Sequence, residues 1–359
     1  MPRLAAQDRP IERAAGIEAL HPSRFGFDAY GEGWIRRDPR FGAMVVTPVS
    51  WQHAQVPSFD LVDGRRVPTD PLNLLCSLQA ITWGMPPELL VPSNVLAIMA
   101  DTGGAVLVAY DPDLGFTAQG WLGFIIGLGS ATGTLVSHML GVREDVRGAA
   151  DVGWYVKLIQ AYEALRTGHH AMSWTFDPMR GANARLNLEK LGAVVQTLTI
   201  DKYGVLPSTL YGDVPSDRFT ATWDLLDPAT ARRMQDVFDG RYRPLSPADV
   251  VDLPEATMAN LNDLLCDPPS RLRYRIPGDI GDLMRTDPRA AVEWRQDMRL
   301  VLPAFLTTKR AVLSGPAPGD VAAVGVEESA GGYLVNGFAT GPNAAGERES
   351  YYVLERKRP

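Results

Sequence analysis

Cysteine is scarce: Cys76 and Cys266 are the only two in 359 residues, and they lie far apart. That excludes a disulfide scaffold, makes a reduced, cytoplasmic setting with free thiols the expectation, and leaves no cysteine metal motif. Long apolar runs are missing too. No stretch of eighteen apolar residues occurs, so no membrane span is expected. The opening MPRLAAQDRPIERAAG has no apolar core followed by a small-residue cleavage site, unlike a secretory signal. Positive charge is not in excess: 35 Lys and Arg against 42 Asp and Glu leave a net charge of -7, which argues against nucleic acid as the main partner. Histidine is sparse. The adjacent His169 and His170 have no third ligand nearby, so a strand-edge pair is expected and no metal site. The Gly-rich stretch 127–133 lacks the Lys of a phosphate-binding loop and reads as a flexible hairpin turn. Internal repeats and low-complexity segments are absent.

The composition that remains, 45% hydrophobic and 21% charged, is that of a soluble globular protein, and the length allows one large or two medium domains. The chain is organised around 133–192. Residues 134–142 are dense in Thr, Leu, Val and Met without a breaker and predict a strand. A polar loop over 143–150 carries Arg147 and Gly148. Residues 152–166 predict a helix, with Tyr155, Ile159 and Tyr162 at helical spacing and Gly168 closing it. A second strand is expected at 170–176 and a second helix over about 181–191, stopped by Gly192.

Upstream, residues 1–40 are mixed and Arg-rich, and are expected as an extension that packs on the core or on a partner. Residues 43–49 predict a first strand, 50–70 a loop or hairpin with an Asp63-Gly64 turn, and 73–82 a helix leading into Trp83-Gly84-Met85. Strands are expected at 105–110 and 121–126. Downstream, 219–225 reads as a strand, 229–238 as a helix, and Pro244, Pro247 and Pro254 mark a boundary. A strand at 271–280, a helix opening at Asp287-Pro288, and strands at 321–326, 332–338 and 351–356 complete the chain. The expected organisation is therefore an extension (1–40), a core (41–228) and a C-terminal domain (229–359).

These residues carry a resemblance. The strand ending in Leu140-Gly141-Val142, the loop with Arg147-Gly148, the helix opening at Val152-Gly153 and the closing Glu189-Lys190-Leu191-Gly192-Ala193 resemble the GNAT acyltransferase superfamily. SHMLGV at 137–142, WTFDP at 174–178, the Asn183 and Asn187 segment ending in LGA, and PSDR at 215–218 are similar to one branch of predicted acetyltransferases, over roughly residues 70 to 359. The resemblance implies an α/β (α+β) fold: a mixed, largely antiparallel sheet flanked by helices, followed by a smaller α+β domain. It implies an acyl-CoA co-substrate, acetyl-CoA or succinyl-CoA, and a small-molecule amine acceptor such as an amino acid. It allows a homodimer.

The site residues follow from that resemblance. A helix N-terminus offers unpaired N–H groups to a pyrophosphate, and Arg147, Gly148, Ala149, Ala150 and Gly153 fit such a loop. The strand through Leu140 and Val142 is implied to splay from its neighbour and bond the pantetheine arm, with Asn183 capping the pantetheine amides or stabilising its own helix. Strand alternation places Val136, His138, Leu140 and Val142 on one face, which makes His138 the candidate base; it fits a buried core histidine as well. Trp83 falls where the superfamily lines its acceptor pocket, and is equally a core residue. Thr175 and Asp177 share a strand face, Asp177 serving an acceptor amine or capping a turn. Arg218 and Arg295 match branch positions and suit a carboxylate, although Asp217-Arg218 also reads as a structural ion pair.

Two departures bear on the chemistry. The loop is one residue longer than the superfamily's Arg-x-x-Gly-x-Gly and puts Asp151 where phosphate would lie, either as an N-cap turned onto its own helix or as a repelling charge. Leu188 stands where many members carry an acidic Tyr, so that role is unfilled or taken by another group. The alternatives left open are a carrier-protein or aminoacyl-tRNA donor, C–C or hydrolytic chemistry on a bound acyl group, and a non-catalytic binding module.

Overall fold

The computed structural model describes residues 10–38, 42–53, 59–62, 65–148, 151–204, 216–313, 324–343 and 346–357. The chain forms two compact units, one of Met1–Trp174, Ser208–Leu210 and Asp224–Asp239, the other of Thr175–Pro207, Tyr211–Trp223 and Gly240–Pro359. The helix at 228–238 falls in the first unit.

In the first unit the leading forty residues are more than an extension. They supply α1 (Pro10–Ala19), β1 (Asp28–Tyr30) and β2 (Gly33–Asp38), and β2 pairs antiparallel with β3 (Gly42–Pro48). The expected loop or hairpin is a hairpin of β4 (Phe59–Val62) and β5 (Arg65–Pro68). Next comes α2 (Pro71–Trp83). Asp70 caps it by accepting from Asn73 N–H at 3.0 Å, Pro71 sits where a missing N–H costs nothing, and Gly84 ends it at φ 61°. After α3 (Ser93–Asp101), the strands β6 (Ala105–Tyr110), β7 (Trp121–Leu128) and β8 (Thr134–Val142) form an antiparallel meander on β3. Leu72, Leu75, Leu78, Leu96, Val106, Phe124 and Ile126 make one buried cluster between α2, α3 and the strands.

The helix α4 (Val152–Arg166) then returns the chain to β9 (Ala171–Phe176), which pairs parallel with β8. Twelve of the fifteen α4 residues are buried, so this helix has no solvent face. Phe25, Phe27, Trp154 and Tyr155 pack edge to face along it.

The second unit starts with α5 (Gly181–Ala184), which widens into a π-helical turn over Arg185–Lys190 where one regular helix was expected. The turn buries Glu189, whose carboxylate accepts from Tyr242 Oη at 2.6 Å, Leu245 N at 3.1 Å and Phe338 N at 3.0 Å. β10 (Val194–Ile200) follows, and β11 (Arg218–Asp224) pairs with it antiparallel. After α6 (Pro228–Phe238) of the first unit come α7 (Leu261–Cys266), β12 (Arg271–Ile276), α8 (Ile280–Thr286) and α9 (Pro288–Val301), the last capped by Asp287 as expected. β13 (Thr307–Leu313) lies parallel to β10, and β14 (Val324–Ser329) pairs with β13. β15 (Tyr333–Pro342) and β16 (Arg348–Arg356) join β10 to β12. Each unit therefore holds a largely antiparallel sheet with one parallel pairing, flanked by helices. No helix among the described residues is long and apolar enough to cross a membrane.

Candidate active site

Two features of β8 shape the first unit's site. The first is a bulge. Ser137 pairs with Gly127 and Met139 with Ile126, so His138 is the extra residue between them. The bulge corrects the alternation expected from sequence. His138 does not share a face with Leu140 and Val142. Leu135 and Ser137 are buried while Val136 and His138 are exposed; beyond the bulge Met139 packs on the α2–α3 cluster. Leu140 and Val142 lean toward α4, their methyls 3.7 and 3.4 Å from where a Cβ on Gly153 would sit.

The second feature is a parting of strands. β8 and β9 pair over three residues only, Thr134↔Ala171 to Val136↔Ser173. Beyond Val136, the β9-facing edge of β8 has no ladder partner among the described residues as far as Val142. Its outward N–H and C=O groups are open to a guest, as in strand-addition recognition.

The loop after β8 is tied down. Arg143 Nε meets Asp145 Oδ1 at 2.6 Å, and its Nη1 donates to the carbonyls of Gln119 (2.6 Å) and Trp121 (2.8 Å). Arg147 folds back to donate to Val142 O at 3.2 Å, and Gly148 takes φ 81°, a conformation suited to glycine. Ala149 and Ala150 lie outside the described residues. Asp151 is the N-cap residue of α4, in the left-handed region at φ 52°, and its side chain makes no capping hydrogen bond. The expectation of a carboxylate turned onto its own helix is thus not met. Its carbonyl accepts from Trp154 and Tyr155, which leaves the N–H groups of Val152 and Gly153 without an intrahelical acceptor. Gly153 is not sterically required, because a Cβ there would find ordinary contacts.

Among the described residues His138 makes no hydrogen bond. It is exposed, although the mass around its ring lowers its pKa by desolvation. Trp83 lies edge to face on Phe124, with ring centroids 5.5 Å apart, and packs against the α2–α3 cluster. His169 and His170 have separate tasks: His169 Nε2 accepts from Ser130 N at 3.4 Å, while His170 packs over Gly133.

The first unit also holds a polar cluster that the sequence reading passed over: Ser137, Lys157, Gln160 and Trp174. Lys157 Nζ is 2.8 Å from Ser137 Oγ, which donates to Gln160 Oε1 at 2.8 Å. In the sequence Lys157, Gln160 and Glu163 stand three residues apart and read as an ordinary polar helix face, so no local signal marks Lys157 as buried.

The remaining candidates belong to the second unit. Asp177 and Arg295 form a bidentate ion pair at 3.1 and 2.9 Å, both buried. Burial by itself raises the Asp177 pKa, but the Arg295 guanidinium and the Met179 N–H bring it below the ordinary carboxylate range. Arg218 does not pair with the Asp217 carboxylate. Its Nη1 donates to the Asp217 carbonyl at 2.9 Å and its guanidinium stands 5.6 Å from the Tyr203 ring centroid. The Asp217 carboxylate goes instead to Arg299 (2.7 and 2.9 Å) and to Asp201 N–H. Thr175 Oγ1 meets Tyr203 Oη at 3.0 Å. Asn183 is half-buried on α5, Asn187 is buried in the π turn, and Leu188 is buried where an acidic Tyr was sought. Among the described residues no three or more His, Cys, Asp or Glu side chains gather in a way that could hold a metal ion.

No family model matches the chain, and no curated protein does. Solved structures that resemble it are acetyltransferases at low identity. The IAA acetyltransferase from Bacillus cereus ATCC 14579 is 12% identical, with 50% of this chain and 99% of that chain covered, at a TM-score of 0.34. A chain of the NatC complex bound to Gag peptide and CoA is 13% identical over 50% and 98%, at 0.36. The ribosomal-protein-S18-alanine N-acetyltransferase from Escherichia coli is 12% identical over 47% and 93%, at 0.32.

Proposed function

We propose that the chain is an acyl-CoA-dependent N-acyltransferase acting on the amino group of a small, carboxylate-bearing molecule. The observation that carries this reading is the early parting of β8 from β9 beside the opening of α4. The open edge of β8 suits the amides of a pantetheine arm, and the N–H groups of Val152 and Gly153, with Arg147 nearby, suit its diphosphate. Acyl-CoA is the acetyl- or succinyl-bearing substrate and supplies an activated thioester carbonyl.

The chain's own residues then have limited work. His138, neutral at pH 7 because its surroundings disfavour the imidazolium, takes a proton from the acceptor ammonium directly or through water. The freed amine adds to the thioester carbon, and the thiolate leaves without a side-chain acid, since thiols ionise near pH 8.5. Arg295 is committed to Asp177.

Isothermal titration with acetyl-, succinyl- and malonyl-CoA tests the reading. The expected result is heat with at least one thioester and competition by free CoA. No heat and no competition would remove it.

A further inference from the structure

The transferase reading leaves unused the buried polar cluster where β8 and β9 stop pairing. Lys157 and Gln160 stand on α4, Ser137 precedes the bulge on β8, and Trp174 follows the last residue of β9 that pairs with β8. Lys157 is 2% exposed, Ser137 4% and Gln160 0%. Lys157 Nζ lies 2.8 Å from Ser137 Oγ and 3.7 Å from the centroid of the Trp174 ring. No carboxylate stands within ion-pair distance of it among the described residues. Gln160 holds Ser137 Oγ through its Oε1, while its Nε2 is buried without a hydrogen-bond partner among the described residues. Gly127 makes room for that amide, since a Cβ there would sit 2.8 Å from Nε2.

A purely structural account fits this poorly. A buried cation without an anion and a buried amide nitrogen without an acceptor each cost stability, and an apolar pair of similar volume would fill the space more cheaply. Burial pushes the Lys157 pKa well below the ordinary lysine value, with no charged neighbour opposing it. A neutral amine has a lone pair. Placed 2.8 Å from a hydroxyl, it makes the nucleophile-and-base pair by which serine is activated on several unrelated folds.

We propose that Ser137 is an acyl-accepting nucleophile with Lys157 as its base, so that the chain carries an acyl group as a serine ester. For its natural donor the proposal rests on the acyl-thioester reading above. With its hydroxyl hydrogen turned from Gln160 Oε1 to the neutral Lys157 amine 2.8 Å away, Ser137 Oγ attacks the thioester carbonyl carbon as that proton passes to Lys157 Nζ. The C–S bond breaks with its electron pair on sulfur, and Lys157 returns the proton to that sulfur, releasing a thiol. Water or an amine next attacks the ester carbon, gives a proton to Lys157, and Lys157 hands it to the departing Ser137 Oγ. The net reaction is hydrolysis or transfer, with no oxidant or reductant. Gln160 Nε2, on the same amide whose Oε1 holds Ser137 Oγ, is assigned to the developing oxyanion.

The test uses the full chain with two acetyl donors, acetyl-CoA and 4-nitrophenyl acetate, followed by acid quench and peptide mass spectrometry. The nitrophenyl ester needs no CoA site. The expected result is a burst approaching one nitrophenolate per chain and one acetyl group localised to Ser137. The burst should be lost in Ser137→Ala and slowed on the order of 100-fold in Lys157→Met. Thermal melts and CoA titration of both variants show that they fold. A burst undiminished in Ser137→Ala, a label only on Lys157, Cys76 or Cys266, or no burst in the wild type overturns the proposal. If CoA binds but no ester forms, the transferase reading survives and this inference falls. If the nitrophenyl ester labels Ser137 while no CoA thioester binds, the reverse holds.

Discussion

Replacing Arg295 with Met separates a structural arginine from a substrate-binding one. The wild-type pair makes two charge-assisted hydrogen bonds, at 3.1 and 2.9 Å, with side chains 3% and 1% exposed. Removing one partner of such a pair strands a buried charge and costs about 3–5 kcal/mol. Asp177 would keep the Met179 N–H at 2.9 Å and Arg180 Nε at 3.8 Å, which places the expected cost near the lower end, about 3 kcal/mol. With a urea slope of about 2 kcal/mol/M, the midpoint should fall by about 1.5 M. Trp294 adjoins Arg295 on α9, so tryptophan fluorescence follows the transition. Asp177→Asn in the Arg295→Met background should cost less than the sum of the two single changes, with a coupling of about 2 kcal/mol or more. An unmoved midpoint together with a raised KM for the amine acceptor would refute the reasoning and return Arg295 to the substrate site.

Three further outcomes follow from the geometry. Asp151→Gly removes a negative charge at the opening of α4 and relieves a non-glycine residue at φ 52°. CoA affinity should rise by about 1 kcal/mol or more, read by calorimetry, and an unchanged affinity would mean that the carboxylate does not face the diphosphate. His138→Gln should lower kcat about 100-fold or more and abolish the acid limb of the pH–rate profile. That limb lies below pH 6.5 because the His138 pKa is lowered, and activity falls as protonation removes the base. Lys157→Met should raise the melting temperature at neutral pH. The folded-state pKa of Lys157 is depressed, so the unfolded chain binds the extra proton and wild-type stability rises with pH up to about 10.4, by about 1.4 kcal/mol per unit. The gap between variant and wild type should therefore close as pH is raised, and a constant gap would show that Lys157 is not held neutral.

Local signals made the central segment legible. The β-branched run of β8, the closing Gly168, and the Asp70 and Asp287 caps each fix an element end through short-range chemistry. What escaped depends on partners distant in sequence. The bulge at His138 exists only in register with β7, so strand periodicity alone put His138 on the wrong face. Asp177 meets Arg295 from 118 positions away, and Asp217 passes over its neighbour Arg218 for Arg299, 82 away. β1 is three exposed residues and β13 reads TTKRAVL, so neither shows a buried alternation that a sequence scan would register. Lys157 escaped for the same reason: with Gln160 and Glu163 it reads as a polar helix face, and its burial depends on the elements packed around α4.

The central claim is that the unpaired edge of β8 and the first amides of α4 hold an acyl-CoA. Amide hydrogen exchange with and without acetyl-CoA addresses it segment by segment. The account predicts slowed exchange over 137–142 and at Val152 and Gly153, with β6 and β7 unchanged. Protection confined to other segments, or none at saturating acetyl-CoA, would contradict it.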